Sequence, residues 1–268
     1  MTVALRTGRC SRWSSVAILL LLTAGTVLPG SKPAQPPDVP GVVRHGPRGT
    51  KEIALTFDAC SLRSRGKIDT GVVRVLLETR TPATIFLGGK WAADVGPALR
   101  SLVSDSLIEF GNHAYMHPHL ENLSTDSVRI ELRKAERAIA RVIGRKPVLF
   151  RAPYGEVDER VAAAAESLGL TVIEYDLPSG DPDPRLSPAS IVKYVVSSAR
   201  GGSIIVMHIN TRGRHTAEIL PEIIDGLQNR GYRFVTVSRL ISGVSTPPPP
   251  ASPSRGTRKT GRRSTRAR

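Results

Sequence analysis

Over residues 51–242, short and almost unbroken apolar runs alternate with longer stretches in which apolar residues return every three or four positions. The short runs have the length of strands buried on both faces. The longer ones have the period of helices with one buried stripe. Strands are predicted over 53–57, 83–87, 108–111, 148–151, 170–175, 203–208 and 233–237. Helices are predicted over 71–79, 95–106, 124–143, 159–168, 189–199 and 217–230. Ser124 suits an N-cap and Asp126 suits the first turn behind it, while Gly169 and Gly231 stand where helices end. Strand and helix alternating this often predict an α/β fold built on a parallel sheet or barrel.

The two ends break the pattern. Arg6, Arg9 and Arg12 precede an uncharged apolar run over 16–28. That run falls short of the roughly 20 residues that span a bilayer, and the arrangement is that of an export signal. Ala24, Gly25 and Gly30 offer cleavage points, but none forms a clean A-x-A site. The expected organisation is a signal peptide or N-terminal anchor over 1–30, a linker over 31–50, one domain over 51–242, and a Pro-rich basic tail over 243–268. Pro247 to Pro250 favour an extended spacer. The seven basic residues from Arg255 to Arg268 stand without an acid or a large apolar residue, so the tail is expected to be disordered. The protein is thus expected to be secreted or membrane-anchored, and extracytoplasmic.

Charge adds a partner to this picture. The formal net charge is +15, and the tail holds nearly half of it. A basic tail is attracted to a polyanion, such as an anionic wall polymer or a membrane surface. No aromatic residue is interleaved with its charges, so specific nucleic-acid binding is not expected. Of the two cysteines, Cys10 lies upstream of the apolar run, leaving Cys60 alone and no intramolecular disulfide.

The candidate chemistry sits at the ends of predicted strands: Asp58, His113, Arg151, Asp176 and His208. Ligands of parallel α/β folds bind at these ends. His113 and His117 are four apart, so on a helix both imidazoles would share one face and one divalent ion. Such an ion lowers the pKa of bound water, and hydrolysis then needs a base and an acid. Asp58 suits the base and His208 the acid. Arg151 would orient Asp58, and Asp181 or Asp176 would support His208.

In this order the motifs resemble the polysaccharide deacetylase family, also called the NodB-homology domain or carbohydrate esterase family 4, over about residues 51–242. Thr56-Phe57-Asp58 resembles its first motif, and His113 with His117 its metal-binding second. Arg151-Ala152-Pro153-Tyr154 resembles the third, which lines the groove and orients the base. A backbone N–H near its tyrosine helps hold the oxyanion. Asp181 resembles the aspartate that supports the catalytic histidine, and Ile205 to His208 the motif that carries this histidine. The resemblance implies a distorted (β/α) barrel, a zinc-like divalent ion, and hydrolysis of N-acetyl groups on a polysaccharide such as peptidoglycan or an N-acetylglucosamine polymer. It also implies Pro153 and Tyr154 as substrate-binding residues.

The sequence departs from the family at Ala59, where a second, metal-binding aspartate is usual. Asp58 ligating directly, the Cys60 thiolate, or water would have to supply the third position. Pro182 follows Asp181 where the family commonly has tryptophan. Two alternatives therefore stand beside the deacetylase: a metal-depleted carbohydrate-binding protein, and a hydrolase of a non-sugar C–N amide bond.

Overall fold

The structure, a computed structural model, describes residues 39–61 and 67–242. The expected export segment, the first part of the linker and the basic tail lie outside the described residues. The elements run β1 (Val42–Val43), β2 (Glu52–Ala59), α1 (Thr70–Thr79), β3 (Ala83–Leu87), α2 (Gly89–Val95), α3 (Arg100–Val103), β4 (Ile108–Asn112) and α4 (Thr125–Ile143). There follow β5 (Leu149–Phe150), α5 (Glu159–Glu166), β6 (Thr171–Ile173), β7 (Leu177–Pro178), α6 (Pro188–Ser198), β8 (Ile204–His208), α7 (Thr216–Asn229), β9 (Arg233–Val235) and α8 (Val237–Ser242).

The strands form one curled sheet in the order β1-β6-β5-β4-β3-β2-β8-β7, with β9 also pairing to β2. Every strand pairing is parallel. This is the distorted α/β barrel expected from the sequence, in a single domain. An isolated antiparallel bridge between His45 and Ser203 ties the segment after β1 to the start of β8. β2 is the axis of the sheet, and every residue from Ile53 to Ala59 is buried. Helices on the sheet explain why its apolar run is nearly continuous instead of alternating.

The helices read from the sequence are present with local reasons. Ser124 caps α4, its hydroxyl accepting from the Ser127 N–H, and Gly144 ends that helix in the left-handed region. Val128, Leu132, Ala135, Ile139 and Ile143 form the buried stripe of α4. Burial of each of the larger members is worth roughly 1.5–3 kcal/mol. The expected helix over 95–106 is different in the structure. Helical backbone begins earlier, at Gly89, and is interrupted by a 3-10 turn over Gly96–Leu99 before α3. Pro97 lacks the N–H that would continue α2 and starts the turn instead. At Gly89 an added Cβ would lie 2.7 Å from the Ala135 Cα, so the close approach of α2 to α4 requires glycine there. The strand expected over 233–237 stops at Val235, and α8 takes over from Val237.

Candidate active site

The C-terminal ends of β2, β4, β5 and β8 surround a cavity of about 200 Å³. Asp58, Cys60, His113, His117, Asp181 and His208 are among its lining residues. Asp58 and His208 are register partners on adjacent parallel strands. Paired positions on neighbouring strands project to the same side, which brings both into one cavity. Asp58 and Cys60 face the cavity, whereas Ala59 between them belongs to the apolar core.

Arg151 is fully buried and reaches across the inside of the curl from the end of β5 to β2. Its Nη1 donates to Thr56 Oγ1 at 2.8 Å and Asp58 Oδ1 at 2.9 Å. Its Nε donates to the Ile173 carbonyl and its Nη2 to the Glu174 carbonyl, each at 3.3 Å. The guanidinium lies 4.1 Å from the centroid of the Phe86 ring. Burial alone would push the Asp58 carboxyl up. The charge of Arg151 leads the effects that outweigh it, with His113, His208 and the Arg151 hydrogen bond adding less, and the carboxyl is held below its usual value.

Asp181 supports His208 from an equally closed setting. His208 Nδ1 donates to Asp181 Oδ1 at 3.0 Å, and the His208 backbone N–H to Oδ2 at 2.9 Å. Ser179 Oγ and Thr216 Oγ1 donate to the same carboxylate at 2.9 and 2.7 Å. A Cβ on Gly213 would fall 2.2 Å from Asp181 Oδ2 and 1.9 Å from Thr216 Oγ1, so this network closes only over glycine. Asp176, the other candidate supporter, is elsewhere. It accepts from Ile204 N at 2.8 Å and Ser203 Oγ at 3.1 Å and pairs with Arg48 at 2.9 Å, at the start of β8 instead of its end. The strand expected over 170–175 ends at Ile173, and Asp176 precedes the two-residue β7.

The segment from His113 to His117 is a loop after β4, not a helix. Ala114 and His117 both have φ of 59°, left-handed values that cost non-glycine residues about 1–3 kcal/mol where they are imposed. Asn112 Oδ1 accepts the Ala114 N–H, and Glu131 Oε2 accepts those of Tyr115 and Met116, each near 3.0 Å. The loop still brings the imidazoles together, with ring centroids 4.9 Å apart. His113 Nδ1 donates to the Arg151 carbonyl at 2.9 Å, which leaves Nε2 with the lone pair, 3.8 Å from Asp58 Oδ2. Burial keeps His113 below its usual pKa against the pull of Asp58. Burial and then His113 lower His117 to about 3. Both rings are therefore neutral near pH 7. The His117 Nδ1 is buried without a hydrogen-bond partner.

These features suit a divalent ion: two neutral imidazoles, one with an orphaned nitrogen, and an ionised carboxylate oxygen. Among the described residues no three His, Cys, Asp or Glu side chains already stand at ligating spacing. Ala59, a methyl turned into the core, donates nothing. Cys60 is a poor replacement: burial and then Asp58 push its thiol up to about 11, so it is protonated at neutral pH. Asn210 Nδ2 donates to its carbonyl at 2.8 Å and approaches its sulfur at 3.5 Å. His113, His117 and Asp58 are the side chains that would hold such an ion, with its other positions open to solvent or substrate.

In the third motif, Tyr154 lines the cavity and has φ of 63°. Pro153 does not line it. Its buried ring begins the 3-10 turn Pro153–Gly155, where a fixed φ and a missing N–H are both tolerated. Several supporting residues had no signal in the sequence. Ser179, Gly213, Thr216 and Glu131 act through folding partners up to 35 positions away.

A parallel α/β sheet with a carboxylate in register with an imidazole, and two neutral imidazoles beside them, at the C-terminal ends of its strands defines the class in outline. The sequence pattern described as polysaccharide deacetylase matches residues 45–173. A peptidoglycan-N-acetylglucosamine deacetylase of Bacillus cereus is 30% identical over 200 residues, covering 73% of this chain and 70% of that protein. The chain belongs to the polysaccharide deacetylase family. A peptidoglycan-N-acetylglucosamine deacetylase of Listeria monocytogenes is 32% identical over 191 residues, 71% of this chain but 39% of that protein. The chain therefore matches well under half the length of that longer relative. Among solved structures, the peptidoglycan N-acetylglucosamine deacetylase Bc1960 superposes with a TM-score of 0.69 at 25% identity, covering 75% of this chain and 93% of that one. A carbohydrate esterase family 4 pseudoenzyme from Bacillus anthracis gives 0.66 at 25% identity, over 74% of this chain and 68% of that one.

Proposed function

We propose that the protein removes N-acetyl groups from an extracytoplasmic polysaccharide, peptidoglycan or an N-acetylglucosamine polymer, by metal-assisted hydrolysis. One observation carries the reading. Asp58 and His208 stand in register on neighbouring strands, Asp58 held by Arg151 and His208 by Asp181, beside two neutral imidazoles. Asp58, held anionic by Arg151, accepts a proton from the attacking water. His208, oriented through Nδ1 by Asp181, delivers a proton to the departing sugar nitrogen as acetate leaves. Tyr154 forms part of the cavity wall that receives the acetylated sugar. A divalent ion such as zinc, held by His113, His117 and Asp58, would supply acidified water and polarise the acetyl carbonyl. The export-type segment over 1–30 supports action outside the cytoplasm, and the basic tail would favour an anionic wall or membrane surface.

The test is acetate release from N-acetylglucosamine oligomers and from peptidoglycan with zinc or cobalt present. Failure on every such substrate, with metal shown to be bound, overturns the proposal. His113→Ala is expected to abolish metal binding in elemental analysis, and retained stoichiometric metal would remove the histidine pair as ligands. Ala59 and the similarity to a pseudoenzyme favour a second reading, a sugar-binding protein without turnover. A purified protein that carries no metal and binds the oligomers without releasing acetate would select it.

A further inference from the structure

His119 lies outside every motif that the proposed chemistry uses, yet it is tied to the cavity wall. Its imidazole stacks on the Tyr154 ring with centroids 4.1 Å apart and planes 7° apart. Its Nδ1 donates to Glu156 Oε2 at 2.7 Å. His117 meets the same tyrosine edge-on, with centroids 4.5 Å apart and planes at 73°. His117-Pro118-His119 thus grips one aromatic ring with two imidazoles, from a loop anchored by Glu131 to a turn anchored by Glu156. Glu156 follows Tyr154 by two positions, so the His119–Glu156 contact closes a small circuit around the ring. Tyr154 remains 43% exposed despite these contacts. An exposed aromatic ring on the wall of a cavity that Asp58, Asp181 and His208 also line suits a ligand with one apolar face and several hydroxyls. A pyranose ring, with its C–H face and its polar edge, has this shape.

We infer that His119 is a positioning residue which, through Glu156 and the ring stack, fixes Tyr154 as the platform for a sugar ring beside the reacting acetamido group. The inference rests on the deacetylase reading for its reaction, but not for its binding. An unbraced Tyr154 would have to be ordered by each incoming substrate. Loss of His119 therefore weakens substrate binding more than it slows the chemical step.

The test uses the full chain and the N-acetylglucosamine pentamer. His119→Ala is expected to raise KM roughly five- to tenfold, with a smaller change in kcat. His119→Phe, which preserves a stacking ring but loses the Glu156 contact, is expected to recover part of the loss. The double variant His119→Ala/Tyr154→Ala should be no weaker than Tyr154→Ala alone. An unchanged KM in His119→Ala, no rescue by phenylalanine, or additive losses would each overturn the inference. Should His119→Ala fail to fold, Glu156→Ala carries the test, since it keeps both rings and removes the anchor; an unchanged KM there overturns it equally. If the parent protein releases no acetate, the proposed reaction fails. The same order of variants is then read in pentamer affinity by calorimetry. A parent that does not bind the pentamer, or variants that bind as it does, overturns the platform.

Discussion

Replacing Glu174 by glutamine isolates the cost of a buried carboxyl that the proposed chemistry does not use. Glu174 follows β6 and is 1% exposed. Its Oε1 accepts the Ala152 N–H at 3.1 Å, and its Oε2 is buried without a partner. Burial raises its pKa to about 7 from 4.5, although Arg151, the Ala152 N–H and Arg44 pull the other way and Asp58 adds to the rise. The folded protein therefore binds this proton more tightly than the unfolded chain does. The stability contributed by the neutral carboxyl is complete below about pH 4.5 and is lost as pH rises through about 7. A displacement from 4.5 to about 7 corresponds to a loss on the order of 3 kcal/mol across that window. Glutamine keeps an acceptor for the Ala152 N–H and never ionises. The parent-minus-variant difference in unfolding free energy, from urea titrations between pH 4.5 and 8, should fall by that amount as pH rises. Histidines that titrate in both proteins cancel in the difference. A difference that stays flat across this range, or one that rises with pH, would refute the reasoning.

Asp181→Asn keeps the size of the side chain but turns an amide NH2 toward donors that the carboxylate accepts from, and removes the charge facing His208 Nδ1; it should lower kcat by roughly 10²–10⁴-fold with little change in KM, as steady-state acetate release checks. Gly213→Ala places a methyl where the Asp181 carboxylate and the Thr216 hydroxyl already lie. It should destabilise the fold by about 1–3 kcal/mol and reduce activity, as read by thermal melting and acetate assay, and parental values for both would contradict the close approach. Glu131→Ala frees the two N–H groups that hold the loop between the histidines. It should weaken metal affinity roughly 10–100-fold in chelator competition.

Most of the fold was legible in the chain. The buried runs of β2, β3 and β8 are long and apolar enough to announce strands, and the stripe and caps of α4 announce a helix. Less legible were β1 and β7, two residues each, whose strand character comes from the neighbours they pair with. The break inside 95–106 was signalled by Gly96-Pro97, but the earlier start of α2 depends on Gly89 lying against Ala135. The histidine spacing pointed to a shared ion on a helix. The structure reaches the same proximity through a loop with two left-handed residues, held by a glutamate on α4. The sequence pattern could name Asp58, Arg151 and His208, because residue type and strand-end position are local properties.

Which of these groups meet is a matter of register and curl. Asp58 faces His208 because β2 and β8 pair in that register, and Arg151 reaches Asp58 because the sheet curls enough to bring β5 across from β2. The same pairing leaves Asp176 at the opposite end of β8 and turns Ala59 away from the cavity. Composition and periodicity determined that this chain makes a parallel α/β domain and where its reactive side chains stand along each strand. Hydrogen-bond pairing between segments far apart in sequence decided which of them share a cavity, because that choice depends on contacts no single segment contains.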